Sequence, residues 1–219
     1  SDTLFQCSKI TRCLPGKRIS CIGQWQGKTV FAKFFIAPKR AEIHWHKEQK
    51  GFQLLTEKKI LAPKVLQEGK HKQDEIYFII YEFLDNATDL KPAWENSAES
   101  EQLLLLKQLI NTVAEHHKHN LIQQDLHLNN FLIANNQLYT LDGADITKVD
   151  GNNEQIAFNN LALLFAQFYP SNDHNIKVAL KDYCKLRHWQ FSQSILSQVK
   201  SATLETREKR KLDRLAKTK

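Results

Sequence analysis

The spacing of apolar residues changes once along this chain, near residue 84, and that change limits the possible folds more than any other feature. Before Leu84 the apolar residues alternate or gather in short β-branched and aromatic runs; from Glu99 they recur every three or four residues. A chain of 219 residues is long enough for two parts, each with its own core. The expected fold class is α+β, with a small β-rich N-terminal lobe containing one main helix over residues 1–84 and a mostly α-helical C-terminal lobe over 85–219. Apolar residues at 42% and charged residues at 25% fit a folded globular chain rather than a disordered one.

The local patterns fill in this plan. FQCSKITRCL, ISCIGQW and KTVFAKFFI read as three strands joined by turns at PGKR and QG. Residues 38–59 read as a helix, with Pro38 in its first turn and Ile43, Lys47, Phe52 and Leu55 at helical spacing. LAPKVLQEG reads as a loop and a short strand, and DEIYFIIYEFL (74–84) as a buried strand. The polar stretch DNATDLKPAWENSAES is expected to link the lobes. Residues 99–120 then form the strongest helix, with Leu103, Leu106, Leu109, Ile110 and Val113 on one side. QLYTLDGADI (137–146) suggests two strands with a loop, residues 154–170 an apolar helix, and 174–219 helix with a basic end.

Four cysteines without a C-x-x-C pair suit neither a zinc site nor a disulfide framework, so reduced thiols and a cytoplasmic setting are expected. No apolar run reaches the roughly 18 residues of a membrane span, and no secretory signal pattern opens the chain. Methionine is absent, so a trimmed or processed chain is expected. The formal net charge is +7, and residues 207–219 hold seven Lys or Arg against two acids, leaving +5 there. Such a tail suits either a solvated helix end or an anionic surface, including the cytoplasmic face of an inner membrane. It lacks the interleaved aromatics of a single-strand binder, so no nucleic-acid partner is expected.

Five polar residues interrupt apolar runs in an order that suits phosphoryl transfer from ATP. That reaction needs a cation on the phosphates, magnesium held by acids or amides, and a base near the acceptor hydroxyl. Lys33 lies inside the strand VFAKFF; alone it would also suit the solvent face of an edge strand. Glu48 on the following helix is placed to orient it, with Glu42 as a rival. Asp125 in LIQQDLHLNNFLI is the candidate base, and Asn130, five residues on, a magnesium ligand. Asp142 in LYTLDGAD is the second metal ligand, favoured over Asp145 because it directly follows the strand. Gly143 permits a tight loop there.

These residues resemble the protein-kinase-like superfamily, and within it the bacterial lipopolysaccharide core kinases. The shared elements are FAKFF, HKEQKGFQLL, QQDLHLNNFLI against the family's H-x-D-L-h-x-x-N-F-L, LYTLDGADI and the basic TREKRKLDR, so the likeness spans roughly residues 10–215. The resemblance implies a protein-kinase-like fold with its cleft under the linker. It also implies ATP and Mg2+ as cofactors, and transfer of the γ-phosphate to Kdo or heptose of the lipid A–core. Lys33, Glu48 and Asp125 would be catalytic, and Asn130 and Asp142 would bind metal. Gly16 and Lys17 of LPGKR would cover the phosphates. Glu82 and Leu84 would flank the adenine pocket, where backbone groups would bind the base. A small-molecule kinase of the aminoglycoside or choline type, or a catalytically silent nucleotide-binding scaffold, uses much of the same logic. The short segment after Asp142 gives a peptide little platform, which favours a sugar hydroxyl, and the basic tail favours a glycolipid at the membrane surface. The chain departs from the family at Gln123, where His is usual, and at Asn159 and Asn160, near the position of a bracing Asp. Gln124 replaces an Arg that in many kinases meets a phosphorylated loop, so activation through such a loop is not expected.

Overall fold

The computed structural model describes residues 4–71, 73–151 and 153–217, and the fold is α+β. The chain forms two compact units. The first comprises residues 1–87 together with 139–146; the second comprises 88–138 and 147–219. The boundary expected after residue 84 therefore falls three residues later, and residues 139–146, expected as strand and loop within the second lobe, belong to the first unit. Its attachment is local and backbone-driven: the Thr140 amide donates to the Leu61 carbonyl at 2.8 Å.

In the first unit β1 (Gln6–Leu14), β2 (Arg18–Trp25), β3 (Lys28–Phe35), β4 (Val65–Lys70) and β5 (Tyr77–Glu82) form one antiparallel sheet ordered β1-β2-β3-β5-β4. α1 (Ala41–Glu57) lies in sequence between β3 and β4. Side chains alternate across the sheet, as period-two geometry demands. Tyr77, Ile79 and Tyr81 of β5 pack with Phe35, Ala41 and Phe52 in one cluster. Ile80 packs with Cys21, Val30 and Ala32 in another. Along β3, Val30 and Ala32 belong to the second cluster, while Phe31 and Phe35 belong to the α1 side. Lys33 falls between Phe31 and Phe35, so the pleat turns it toward α1 rather than to solvent.

α1 starts at Ala41, not at Pro38; Pro38 instead sits in a turn in which the Arg40 amide bonds to the Ala37 carbonyl. Its buried side chains are Ala41, Glu48, Gly51, Phe52 and Leu55, and Ile43 is exposed. The expected apolar face was thus rotated, because Glu48, a carboxylate, takes a core position.

The second unit is mostly helical. The stretch expected as a polar linker holds β6 (Thr88–Asp89) and α2 (Leu90–Asn96). Leu90 and Trp94, one helical turn apart, are buried, and the Trp94 ring lies 4.4 Å from that of Phe168. α3 (Glu99–Lys118) buries Leu106, Leu109, Ile110 and Val113, but Leu103 is exposed. β7 (Leu121–Gln123) leads into the loop 124–130, and β8 (Phe131–Ala134) pairs with β6. Asn135 and Asn136, both at positive φ, turn the chain into β9 (Gln137–Thr140). β10 (Ile146–Lys148) precedes α4 (Glu154–Phe165), α5 (His174–Leu186) and α6 (Gln193–Lys217). Leu109, Phe131, Phe158, Leu161, Leu180 and Val199 bring α3, β8, α4, α5 and α6 into one core.

Part of the basic tail is structural. Arg207 of α6 holds both carboxylate oxygens of Asp173, at 2.6 and 2.8 Å, and donates to the carbonyls of Phe165 and Phe168 at 3.2 and 3.0 Å. One guanidinium thereby satisfies acceptors at the end of α4 and fixes the start of α5. Replacing Arg207 with Ala should lower stability by about 2–3 kcal/mol, since it strands an acid and two carbonyls. Lys211→Ala, at an exposed position, should leave the melting temperature unchanged; equal melting curves for the two variants would contradict this.

Candidate active site

The first unit contains a compact cluster of two cations and two carboxylates. Glu48 is fully buried and ion-pairs with Lys33. Its Oε1 also accepts from the Tyr81 hydroxyl at 3.0 Å, and its Oε2 accepts from the Ala144 amide at 3.1 Å. A buried carboxylate is tolerated only when paired and hydrogen-bonded, and this one is both. Lys33 Nζ reaches Asp142 Oδ1 at 3.3 Å, and Arg18 reaches the same oxygen at 3.5 Å. Burial tends to raise the Asp142 pKa, but Lys33 and then Arg18 overcome it and hold it at about 2. Asp142 is therefore fully ionised at neutral pH. Burial, then the Glu48 charge, pushes the Tyr81 phenol well above its usual value, which keeps its proton available to Glu48.

Two glycines permit this geometry. A Cβ added at Gly51 would overlap the Gly143 carbonyl, and one at Gly143 would come within 2.5 Å of the Glu48 carbonyl. α1 and the turn after Asp142 approach backbone to backbone, and Asp142 itself has φ +61°. That approach places the Ala144 amide on Glu48.

The first unit gathers Lys33, Glu48 and Asp142, with Arg18 and Tyr81 added. Arg18 follows the expected pair Gly16 and Lys17, which lie exposed in the β1–β2 turn. The sequence reading placed Arg18 in the PGKR turn, whereas the structure makes it the first residue of β2, paired with Phe35 of β3. Lys17 still contributes to a positive field. His44 is held below its usual pKa by burial first, then by Lys47, Arg40, Arg18 and Lys17. The Glu82 carboxylate accepts from the Lys64 amide at 2.8 Å and so closes the β4–β5 end, while Leu84 lies half-buried just beyond β5.

The second unit presents the loop 124–130. Asp125 is exposed, and its carboxylate lies 3.3 Å from His127 Nε2. Asn130 is buried and donates its Nδ2 to the Asp125 carbonyl at 2.8 Å, tying the two ends of the loop together. The amide nitrogen is thus engaged, and cation ligation at Asn130 would fall to Oδ1.

A buried relay braces the strand entering this loop. Arg187 donates to the Tyr183 hydroxyl at 3.3 Å, and that hydroxyl lies 2.7 Å from His117 Nδ1. His117 Nε2 lies 3.0 Å from Asn160 Oδ1, and Asn160 Nδ2 donates to the Gln123 carbonyl at 2.8 Å. Because the Asn160 oxygen must accept, the imidazole proton belongs on Nε2, and Nδ1 accepts from Tyr183. Each link of the chain then pairs one donor with one acceptor. Asn160 therefore does bracing work in neutral form, through the backbone of Gln123, whereas Asn159 is exposed and bonds Gln155.

Among the described residues no group of three or more His, Cys, Asp or Glu side chains is placed to hold a metal ion. A magnesium ion does not require one, since it keeps several waters and takes one or two protein oxygens beside phosphate oxygens. The ionised Asp142 carboxylate of the first unit is a donor of that hard type.

Burial lowers His117 to about 4 and His116 to about 3 from an ordinary 6.5, and at His117 the Arg187 charge adds a smaller push in the same direction. For His117 the Asn160 hydrogen bond opposes this without reversing it. Both are neutral in the fold and gain protons more readily on unfolding. Their contribution is therefore complete above about pH 6.5 and declines as pH falls through 6.5 toward 4. The melting temperature should drop between pH 7.5 and pH 5, with net proton uptake on unfolding; a flat profile would count against the neutral relay.

No protein-family model matches the chain, and no curated protein matches its sequence.

Proposed function

We propose that this protein is an ATP- and magnesium-dependent phosphotransferase with a protein-kinase-like fold, acting on a sugar hydroxyl, with Kdo or heptose of the lipopolysaccharide core as acceptor. The observation that carries the reading is the buried Lys33–Glu48 pair beside an ionised Asp142. A lysine oriented by a buried carboxylate, next to an acid kept charged, suits nucleotide phosphates and their cation better than it suits stability. A hydrophobic pair would fill the same core with no desolvation penalty. The basic residues around His44 add a field that attracts polyanions.

In this reading Lys33 presents Nζ to the phosphates while Glu48 fixes its direction. Asp142 and Asn130 supply oxygen ligands for magnesium, which when bound offsets the charge that develops on the phosphate oxygens. Asp125 accepts the proton as the acceptor oxygen bonds to the γ-phosphorus and the bond to the β–γ bridging oxygen breaks. His127 steadies the Asp125 carboxylate. The segment after Asp142 is short, with α4 beginning at Glu154, and this suits a sugar better than a docked peptide. No helix among the described residues is long and apolar enough to cross a membrane. On α6, exposed Leu212 and Leu215 lie beside Lys211 and Arg214, and this edge suits peripheral contact with an anionic leaflet that holds a glycolipid acceptor.

Radiolabelled ATP, magnesium and Kdo–lipid A should give a phosphorylated glycolipid. Asp125→Ala should reduce kcat by about 10²–10⁴-fold and leave nucleotide binding in place. Asp142→Asn should abolish the magnesium dependence of that binding. Transfer to an aminoglycoside or choline instead would replace the acceptor assignment. Nucleotide binding with no transfer to any acceptor would leave a scaffold.

A further inference from the structure

Two cysteines with no part in phosphoryl transfer meet on the sheet of the first unit. β1 is an edge strand, paired with β2 alone and exposed along nearly its whole length. Cys7 of β1 stands opposite Gly23, and Cys21 of β2 opposite Ile10, so the two thiols hold diagonal positions on neighbouring antiparallel strands. Phe5, two residues before Cys7, lies over Gly23, and its ring packs 5.3 Å from that of Phe34. The pleat therefore turns Cys7 to the face away from α1, where Cys21 packs with Val30, Ala32 and Ile80. On a regular ladder diagonal partners stand roughly 7–8 Å apart, at the limit of what a disulfide spans. This ladder is not regular. Ser8 is an extra residue directly after Cys7, and its hydroxyl donates to the Ile22 carbonyl at 3.0 Å. A bulge sharpens the local twist, and the Cys7 and Cys21 thiols are in hydrogen-bonding contact.

The two thiols differ in access. Cys7 is exposed, whereas Cys21 is 2% exposed. Burial first, then the adjoining Cys7, pushes the Cys21 thiol up to about 12, so it is protonated at neutral pH. We propose that Cys7 and Cys21 form a thiol-oxidation site, at which a low-molecular-weight disulfide of the glutathione type reacts first with Cys7 and the product closes to a Cys7–Cys21 crosslink that locks β1 onto β2. In the first step the Cys7 thiolate attacks one glutathione sulfur, and a glutathione thiolate leaves. In the second, Cys21 gives up its proton and attacks the Cys7 sulfur, and the second glutathione leaves. Two protein thiols are oxidised, and one glutathione disulfide is reduced to two thiols. Beyond the ladder itself, the Ser8 and Thr11 hydroxyls are side-chain ties from β1 to β2, both to backbone carbonyls. The crosslink adds a covalent tie to the hairpin whose β2 strand begins with Arg18, the partner of Asp142. This chemistry stands whether or not the chain transfers phosphate.

The test incubates the full reduced chain with glutathione disulfide, quenches it in acid, and reads intact mass and linked peptides. Wild type should lose two hydrogens, with Cys7 joined to Cys21. Cys21→Ala should instead keep a glutathione adduct on Cys7, and Cys7→Ser should give neither product. Cys13→Ser, at an exposed position on the same strand, should crosslink as wild type does. The crosslinked protein should melt roughly 5 °C higher than the reduced one, and amide hydrogen exchange over residues 6–14 should slow at least about tenfold. Reduction with dithiothreitol should reverse both changes. A glutathione adduct that persists on Cys7 of wild type, or a crosslink that needs Cys13, would overturn the pairing. A Cys7–Cys21 bond that leaves both melting and exchange unchanged would overturn the lock.

Discussion

A lysine on the inward face of an apolar strand must be neutralised, and the first unit is organised around doing so. Lys33 lies between Phe31 and Phe35 on the side of the sheet that faces α1. Glu48 answers it from the buried face of that helix. Once a carboxylate occupies a core position, its other lone pairs need donors, and Tyr81 and the Ala144 amide supply them. The Ala144 amide reaches Glu48 only because Gly51 and Gly143 have no side chains to hold the two backbones apart. The same close approach sets Asp142 in a left-handed conformation beside Lys33 and Arg18, where it stays charged. One ion pair thus dictates a residue choice on two strands, one helix and one turn.

The second unit solves a related problem without charge on its central members. The strand before the loop 124–130 is held by a directional chain of hydrogen bonds from Arg187 through Tyr183, His117 and Asn160 to the Gln123 carbonyl. Burial keeps His117 neutral, and neutrality allows it to donate at one nitrogen and accept at the other. An aspartate at position 160 would need a second cation or a protonated imidazole in the same buried space. Asparagine meets the geometry with no net charge, so its presence there is consistent with a rigid loop.

The basic tail shows how one composition can serve several roles. Arg207 is a structural cation that ties α6 to the end of α4 and the start of α5. Lys209 lines a cavity, and Lys211 is exposed next to Leu212. Net charge alone does not separate these roles, because it carries no information about which helix face meets a neighbour.

Much of the first unit was legible because a β-strand has a rigid period: in VFAKFF alternation alone places Lys33 with Phe31 and Phe35. The strand order β1-β2-β3 followed from turns at PGKR and QG, and the helical character of 99–118 from its repeating leucines. The DGAD and QQDLHLNN loops stood out because polar residues interrupt apolar runs at fixed offsets. Other features depend on contacts between segments distant in sequence. The buried face of α1 was misread because a buried glutamate looks polar until its lysine, fifteen residues earlier, is placed against it. The linker concealed α2, since Leu90 and Trp94 gain burial from a core assembled by distant segments, with the Phe168 ring against Trp94 more than seventy residues on. The role of Gly51 is invisible without the Gly143 carbonyl opposite it. Local sequence determined which segments are strand or helix and which loops carry acids and amides. Tertiary structure decided which charges are paired and buried, because that depends on the desolvation and partners that only packing supplies.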